Sequence, residues 1–255
     1  MDDASRFRPA ARGSRSARRP GLPPGERVYA VGDIHGRADL AEEMQDLIAA
    51  HSADRPPGLV SVVWLGDYID RGPSSRRVVD LLIAFADRPL RSVFLMGNHE
   101  DAMLRFLADP AEGPQWCGFG GVDTLRSYGV AVGNARKSLT YGEARSALLA
   151  ALPPLHQEFF LSLKFSHVIG EFFFCHAGVR PGVALYAQAP HDLIWIRDEF
   201  LEWPNDFGMM IVHGHTPVGK PELLPNRVNV DTGAFATDRL TCAVIEGSQI
   251  EFLST

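Results

Sequence analysis

The sequence predicts a mixed α/β protein with two β-sheets. In the first half of the chain, apolar strand-like segments alternate with segments of helical periodicity, an order typical of a mostly parallel sheet with helices on its faces. In the second half, short apolar segments separated by Gly, Asn and Pro turns predict a second, largely antiparallel sheet. Of the 255 residues, 45% are hydrophobic and 22% are charged, which is the composition of a folded globular protein.

The first sheet and its helices are predicted from six consecutive segments. Unbroken apolar runs predict buried strands, and apolar residues spaced three and four apart predict helices. In chain order, strands and helices alternate over Arg27–Val31, Arg37–Ala50, Leu59–Leu65, Ser75–Ala86, Arg91–Met96 and Asn98–Leu107.

The middle of the chain interrupts this alternation. Residues 108–154 contain a Gly-rich loop, Cys117–Gly121, and helical patterns at Asp123–Ser127 and Gly142–Leu152, so we interpret them as a helical insertion over one end of the sheet. Strands are predicted after it at Phe159–His167, Glu171–Cys175, Met209–His213, Arg227–Val230, Leu240–Glu246 and Gln249–Leu253. Residues 26–255 are therefore expected to form a single domain.

The charge distribution separates a basic amino-terminal segment from an acidic body. Residues 1–27 carry seven of the arginines, whereas the whole chain has a formal net charge of -6. We expect residues 1–25 to be a disordered Arg-rich tail, with an organelle transit peptide as the alternative. The acidic body disfavours a nucleic-acid partner. There is no apolar run long enough to span a membrane and no secretory apolar segment, so we expect a cytoplasmic protein without a membrane partner.

Cysteine usage excludes two further classes of protein. The three cysteines, Cys117, Cys175 and Cys242, are scattered and form no Cys-x-x-Cys pair. A disulfide framework and a structural zinc cage are therefore not expected.

Polar side chains follow five of the predicted strands. Each stretch begins where an apolar run ends; the five are Gly32–Arg37, Gly66–Gly72, Gly97–Asp101, His176–Gly178 and His213–Thr216. Ligands bind at the carboxyl ends of parallel strands, so these stretches should meet. Their Asp, Asn and His side chains are oxygen and nitrogen donors suited to Mn, Fe or Zn. Six such groups are too many for one tetrahedral ion but suit two ions that share a carboxylate.

Each stretch alone has a simpler interpretation. Asp33 is a plausible helix cap, and Gly97–His99 could be the polar start of a helix. Their common position after apolar strands, in this order, favours one metal site.

Together, the stretches resemble the metallophosphoesterase superfamily. The form Gly-Asp-Tyr-x-Asp-Arg-Gly at Gly66–Gly72, and Gly-His-Thr-Pro at residues 214–217, are similar to the phosphoprotein phosphatase branch, in particular bacterial serine/threonine protein phosphatases and the related symmetrical diadenosine tetraphosphate hydrolases. The resemblance covers Val28–Gly233. It implies a calcineurin-like fold, a sandwich of two β-sheets flanked by helices, with residues 108–154 as an insertion.

The resemblance also implies a set of metal ligands for two divalent ions, manganese most of all, with iron or zinc as alternatives. Asp33 and His35 would bind the first ion and Asp67 would bridge both. Asn98, His176 and His215 would bind the second. His213 departs from the generic Gly-His-x-His pattern, in which the other histidine would stand at Pro217. We therefore expect His213 to support the strand rather than bind metal.

The remaining site residues are assigned by motif and by charge. Two ions lower the pKa of a bridging water, and the resulting hydroxide attacks phosphorus in line. His99 is the predicted general acid, and Asp70 would hold its imidazolium. Arg71, Arg197 and Asn98 would bind the substrate phosphate, since arginine matches phosphate bidentately. Arg37 and Arg180 are weaker alternatives to Arg197 as the second arginine.

The function expected from this site is hydrolysis of phosphoserine or phosphothreonine in proteins. The alternative is a symmetrical bis(5'-nucleosyl)-tetraphosphate hydrolase, so the partner is either a phosphoprotein or a phosphorylated small molecule. A catalytically silent metal-binding scaffold is a third hypothesis, but it would need neither the acid nor the phosphate-binding arginine. The sequence leaves the substrate, the native metal and the oligomeric state open.

Overall fold

The computed structural model describes residues 20–130 and 139–255, which form two five-stranded sheets with helices around them. The strands are β1 Glu26–Val31, β2 Leu59–Trp64, β3 Arg91–Phe94, β4 Ser166–Ile169, β5 Phe172–Cys175, β6 Met210–His213, β7 Glu222–Leu223, β8 Arg227–Asn229, β9 Thr241–Glu246 and β10 Gln249–Ser254. The helices are α1 Ala38–Ala53, α2 Ser75–Ala86, α3 Asn98–Ala108, α4 Gly113–Trp116, α5 Val122–Ser127, α6 Tyr141–Ala151, α7 Pro154–Ser162, α8 Pro190–Trp195, α9 Asp198–Leu201 and α10 Ala234–Thr237. Among these, no helix is both long and apolar enough to cross a membrane.

The predicted parallel core of the first sheet is confirmed, and the second sheet corrects the prediction. The first sheet has the order β10-β9-β1-β2-β3, with β1, β2 and β3 parallel. The last two strands join this sheet instead of the second one: β9 pairs antiparallel with β1, and β10 pairs antiparallel with β9. The second sheet has the order β4-β5-β6-β8-β7, and it is parallel in its centre and antiparallel at both edges. It is therefore mixed, not largely antiparallel.

The two sheets pack face to face around a shared apolar core. Along β1, Val28 and Ala30 point into this layer, together with Phe174 and Val212 of the second sheet. The alternate residues of the first sheet, such as Trp64, pack instead into the larger core formed with the helices. Because both faces of the sheet are covered, its strands are unbroken apolar runs, as expected for buried parallel strands.

The segment predicted as a strand at Phe159–His167 begins as a helix and enters a strand only at its last two residues. Helix α7 begins at Pro154 and ends at Ser162, and only Ser166–Ile169 forms a strand. Proline at the first helical position favours this start, because its fixed φ suits a helix. Phe159 packs its ring against Tyr68 and Phe94, which anchors one side of α7 to the core. The periodicity of this apolar run fits either a strand or a buried helix, and the packing of Phe159 favours the helix.

Residues 108–154 are mostly helical in the part that the structure describes. They contain α4, α5 and α6, a short 3₁₀ turn at Pro110–Glu112 and a wider helical turn at Cys117–Gly121. Part of the predicted insertion, residues 131–138, lies outside the described residues.

The amino-terminal boundary differs from the predicted one. Most of the Arg-rich tail, residues 1–19, lies outside the described residues. The remaining part is packed: Leu22 is 7% exposed within the core between the sheets. Its backbone N–H donates to the Gly247 carbonyl at 2.8 Å. The packed body thus begins several residues before Glu26.

Candidate metal centre

The five polar stretches converge at the carboxyl ends of the strands. Asp33 and His35 follow β1, and Asp67 follows β2. Asn98 begins α3 directly after β3, and the two remaining histidines, His176 and His215, follow β5 and β6. All six side chains are buried, with no more than 4% of each residue exposed. The structure therefore brings every predicted ligand to one end of the sandwich.

The backbone of these loops is tightly constrained. His35, Asp67 and His215 have positive φ angles of 47°, 53° and 66°, a region that L-residues seldom occupy. A Cβ added to Gly97 would lie 2.2 Å from the Asp67 Oδ1 atom. Only glycine fits there, and strained conformations of this kind persist where the surrounding structure holds functional side chains.

Two groups of ligand atoms share Asp67. One contains His35, Asp67 and His99, the other Asp67, His176 and His215, and in each the atoms lie within 4.8 Å of one another. Asp67 Oδ2 is 3.5 Å from His35 Nε2 and 3.4 Å from His176 Nε2. This is the arrangement expected of a carboxylate between two cations.

The second group is extended by an amide oxygen. His176 Nε2 lies 3.0 Å from Asn98 Oδ1 and 3.2 Å from His215 Nδ1. The carbonyl of Leu65 accepts from His176 Nδ1 at 2.9 Å, which directs Nε2 inward. The nitrogen and oxygen atoms of this group converge on one point, so a divalent cation fits between them.

The first group is oriented in the same way. The Ile69 carbonyl lies 3.0 Å from His35 Nδ1, so Nε2 faces Asp67. Burial lowers the pKa of His35 to about 3, which keeps the ring neutral and able to ligate. In the second group, the buried Nε2 atom of His215 has no hydrogen-bond partner among the described residues. The donor set therefore fits two metal ions.

Asp33 lies beside this cluster but in neither group. Its carboxylate accepts the His215 backbone N–H at 3.1 and 3.3 Å from its two oxygens. Burial raises its pKa well above the usual value, as do the neighbouring charges of Asp231 and Asp67. Three buried carboxylates in one place are costly unless cations neutralise them, which again fits a metal centre.

His99 and Asp70 form a buried pair at the edge of the centre. Their Nδ1 and Oδ2 atoms are 2.8 Å apart. Although burial lowers the pKa of His99, the Asp67 and Asp70 carboxylates outweigh it and raise the pKa above the ordinary 6.5. His99 Nε2 is also 3.8 Å from Asp67 Oδ2 and 3.2 Å from the Arg71 guanidinium. The Nδ1 atom of the ring is thus held by the Asp70 carboxylate, and its Nε2 atom faces the site.

Two residues that anchor Asp70 were not found by sequence reasoning. Thr124 Oγ1 donates to Asp70 Oδ1 at 2.6 Å, and Trp116 Nε1 donates to Oδ2 at 3.0 Å. Both belong to the insertion: Trp116 is 46 residues and Thr124 is 54 residues from Asp70 along the chain. No local pattern in the sequence reports such a pairing.

Glu100 is a third residue that was missed. Its buried carboxylate accepts backbone N–H groups from Asp67, Tyr68, Ile69 and Gly97 at 2.8–3.2 Å. A glutamate three residues after the glycine that precedes a helix is a recognisable capping signal, so this role was open to prediction.

The arginines divide into two kinds. Arg71 and Arg197 are exposed at the mouth of the site; Arg71 lies over the Phe235 ring at 4.6 Å, and Arg197 donates to Thr216 Oγ1 at 3.3 Å. Arg37 is instead bound to Asp39 and Asp238, and Arg180 to Asp192 and Glu199. The guanidinium groups of Arg37 and Arg180, the two weaker candidates for the second phosphate-binding arginine, are therefore already paired with carboxylates.

His213 is placed in β6, outside both groups. Its ring is fully buried and lies 4.9 Å from that of Phe200. Its Nδ1 is 3.0 Å from the Gly214 carbonyl and its Nε2 is 3.4 Å from the Arg227 guanidinium. Both ring nitrogens are thus directed at protein groups rather than at the centre.

Comparison with known families decides the class of this site. The model of the family Metallophos, described as calcineurin-like phosphoesterase, matches residues 26–243. The chain belongs to this family. Members of this metallophosphoesterase family use a dinuclear divalent metal centre, and the two groups that share Asp67 are the His and Asp side chains that could form it. The expected resemblance and the calcineurin-like fold are confirmed.

Two curated relatives of this metallophosphoesterase carry the same name. Bis(5'-nucleosyl)-tetraphosphatase PrpE [asymmetrical] from Halalkalibacterium halodurans is 25% identical over 244 residues, covering 88% of this chain and 91% of the relative. The protein of the same name from Geobacillus thermodenitrificans is 28% identical over 246 residues, with 83% and 87% covered.

Solved structures share the fold at low sequence identity. A candidate diadenosine tetraphosphatase has a TM-score of 0.62 at 19% identity, covering 93% of this chain and 98% of the other. A cold-active protein-tyrosine phosphatase from a psychrophilic Shewanella species has a TM-score of 0.54 at 15% identity, covering 91% and 80%. A protein serine/threonine phosphatase from Saccharomyces cerevisiae has 0.52 at 14%, covering 93% and 84%.

Proposed function

We propose that this protein hydrolyses dinucleoside tetraphosphates asymmetrically, using two divalent metal ions. The two ligand groups that share Asp67, beside the His99–Asp70 pair, carry the phosphohydrolase part of this proposal. The substrate is supported by relatives that align over most of the chain and are named asymmetrical bis(5'-nucleosyl)-tetraphosphatases. The sequence favoured a protein phosphatase, with a symmetrical tetraphosphate hydrolase as the alternative; in this proposal the asymmetrical hydrolase takes the place of that alternative and becomes the first candidate.

The ligands are proposed as follows. Asp33 and His35 hold the first ion, Asp67 holds both, and the second ion is held by Asn98, His176 and His215 together. Manganese is the proposed metal, since the donors are oxygen and imidazole nitrogen without thiolate. When bound, the two ions act as Lewis acids on the phosphate and lower the pKa of a coordinated water.

The proton for the leaving group comes from His99 in this proposal. Asp70 accepts the Nδ1 proton at 2.8 Å, which fixes the tautomer and leaves Nε2 to donate. The Asp67 and Asp70 carboxylates raise the pKa of His99, which favours the protonated form of the ring. Because Arg71 lies 3.2 Å from Nε2, a phosphate bound to Arg71 would place its leaving oxygen beside the acid. Arg197 and Asn98 complete the phosphate-binding set.

Hydrolysis of phosphoserine or phosphothreonine in proteins is the second candidate. The solvent exposure of Arg71 and Arg197 favours it, since an open mouth admits a phosphorylated side chain on a large partner. We further propose a cytoplasmic enzyme that binds neither nucleic acid nor membrane, because the net charge is -6 despite the arginines near the amino terminus.

One assay separates these candidates. The purified protein is incubated with Mn²⁺ and, in parallel, diadenosine tetraphosphate, a phosphoserine peptide and p-nitrophenyl phosphate, and nucleotide products are resolved by chromatography. The proposal expects ATP and AMP, with kcat/KM for the dinucleotide at least tenfold above that for the peptide. Two molecules of ADP would establish symmetrical cleavage, and a faster reaction on the peptide would establish the protein phosphatase. Failure to hydrolyse any substrate in the presence of metal would favour the scaffold.

A further inference from the structure

A cavity of about 170 Å³ lies beside the metal centre, between α3, α4 and α8. Its rim is open to solvent, because Arg105, Gln115 and His191 are exposed, so a ligand larger than the cavity can extend out of it. Trp195 forms the wall between the cavity and the centre: its ring lines the cavity and also lies 6.2 Å from the His215 ring. The cavity and the proposed second metal site are therefore separated by one side chain.

The cavity lies along α3 beyond the proposed acid. His99 is in the first turn of this helix, and Asp101 and Arg105, which line the cavity, follow it by two and six residues. At 1.5 Å per residue, they lie about 3–9 Å further along the helix axis. The cavity thus lies within reach of a nucleotide whose phosphate is bound beside His99.

One wall of the cavity is aromatic. His191 and Trp195 stand four residues apart on α8, with nearly parallel rings at 22° and centroids 6.3 Å apart. Both rings line the cavity, and flat aromatic rings are platforms on which nucleic-acid bases stack.

The opposite wall is polar and carries more negative than positive charge. It contains Asp101, Glu112, Gln115 and Arg105, and Arg105 is already paired with Asp101 at 2.8 Å. The side chains of Glu112 and Gln115 form no hydrogen bond with any residue that the structure describes, so their acceptor atoms are available. Carboxylates repel phosphate but accept hydrogen bonds from hydroxyl and amino groups.

We propose that this cavity binds the nucleoside of the leaving nucleotide, with its base stacked on His191 and Trp195 and its hydroxyl or amino groups bonded to Glu112 and Gln115. The inference rests on the proposed function, to which it adds the position of one nucleoside. The phosphates would lie on the other side of Trp195, between Arg71 and the metal centre.

The test uses His191→Ala and Glu112→Gln in the full-length protein, with His167→Ala as the matched control. His167 lines a different cavity, near the starts of β1, β2 and β3. Stacking on one aromatic ring contributes enough that its loss should raise KM for diadenosine tetraphosphate about fivefold or more in His191→Ala. With p-nitrophenyl phosphate, which carries no nucleoside, kcat/KM should stay within twofold for all three variants.

A second measurement does not depend on turnover. Saturation-transfer NMR with adenosine as the probe and metal-free protein should show transfer to the adenine protons in the wild type and in His167→Ala, and much less in His191→Ala. If diadenosine tetraphosphate is cleaved but KM and the adenosine signal are unchanged in His191→Ala, the cavity inference is overturned and the proposed function stands. If the dinucleotide is not cleaved while the adenosine signal still depends on His191, the proposed function fails and the nucleoside site stands. Absence of any adenosine signal in the wild type overturns the inference.

Discussion

Glu100 is the residue whose replacement most directly tests how the bridging loop is held. Its carboxylate is fully buried and accepts four backbone N–H groups: Oε2 those of Asp67 and Gly97, and Oε1 those of Tyr68 and Ile69. Glu100→Gln keeps the shape of the side chain but replaces one acceptor oxygen by an NH₂ group. In either orientation of the amide, two buried N–H groups lose their acceptor and face a donor.

The cost follows from the number of lost acceptors. An unsatisfied buried donor costs about 1–3 kcal/mol, so two of them cost about 2–6 kcal/mol. The substitution also removes a negative charge that repels Asp67, which offsets part of that cost. We expect the free energy of unfolding to fall by about 2–4 kcal/mol.

Urea unfolding of wild type and variant, with and without Mn²⁺, measures this change. Glu42→Gln is the matched control, because Glu42 forms an exposed ion pair with Arg77, which should contribute less than about 1 kcal/mol. In the presence of metal, the bound Mn²⁺ per chain should also fall in Glu100→Gln, since the loop that carries Asp67 is released. A Glu100→Gln protein as stable as Glu42→Gln would refute the reasoning.

Four further substitutions test separate parts of the site and the fold. Asp67→Asn should abolish turnover and lower metal content together, and a variant that keeps two ions and substantial activity would contradict the bridging role. His99→Asn should lower kcat by about 10²–10⁴-fold with both ions retained, and by less on p-nitrophenyl phosphate, whose leaving group needs little protonation. His215→Asn should instead lose metal, with a similar loss of activity on both substrates; equal behaviour of the two histidine variants would show that His99 is a ligand. Leu22→Ala should lower the free energy of unfolding by about 2–3 kcal/mol, whereas Leu161→Ala, 76% exposed, should change it by less than about 0.5 kcal/mol.

The elements that could be predicted are those whose partners are close in sequence. Helix α2 was predicted with its observed bounds, Ser75–Ala86, because its broad apolar face recurs with helical spacing. Strand β9 was itself predicted, at Leu240–Glu246, but its pairing with β1 in the first sheet could not be predicted. Thr241–Glu246 is an unbroken apolar run, and such a run shows burial on both faces without showing which sheet provides it.

The site residues that could be predicted are those that directly follow an apolar strand. Asp67, His176 and His215 each follow an apolar strand, so the rule that ligands bind at the carboxyl ends of parallel strands was enough to bring them together. Thr124 and Trp116 follow no strand and reach Asp70 only through the tertiary packing of the insertion.

Metal binding and the support of His99 depend on different parts of the chain, which meet at α3. The proposed metal ligands come from loops of the sandwich, whereas residues 108–154 supply both the groups that anchor Asp70 and, with Glu112 and Gln115, a wall of the proposed nucleoside cavity. Trp116 belongs to both parts, because it lines the cavity and donates to the carboxylate that orients His99, so a substitution of Trp116 is expected to affect both. In the proposed function, we therefore expect substrate choice and proton donation to be coupled through Trp116, and metal binding to depend on the strand ends and on Glu100.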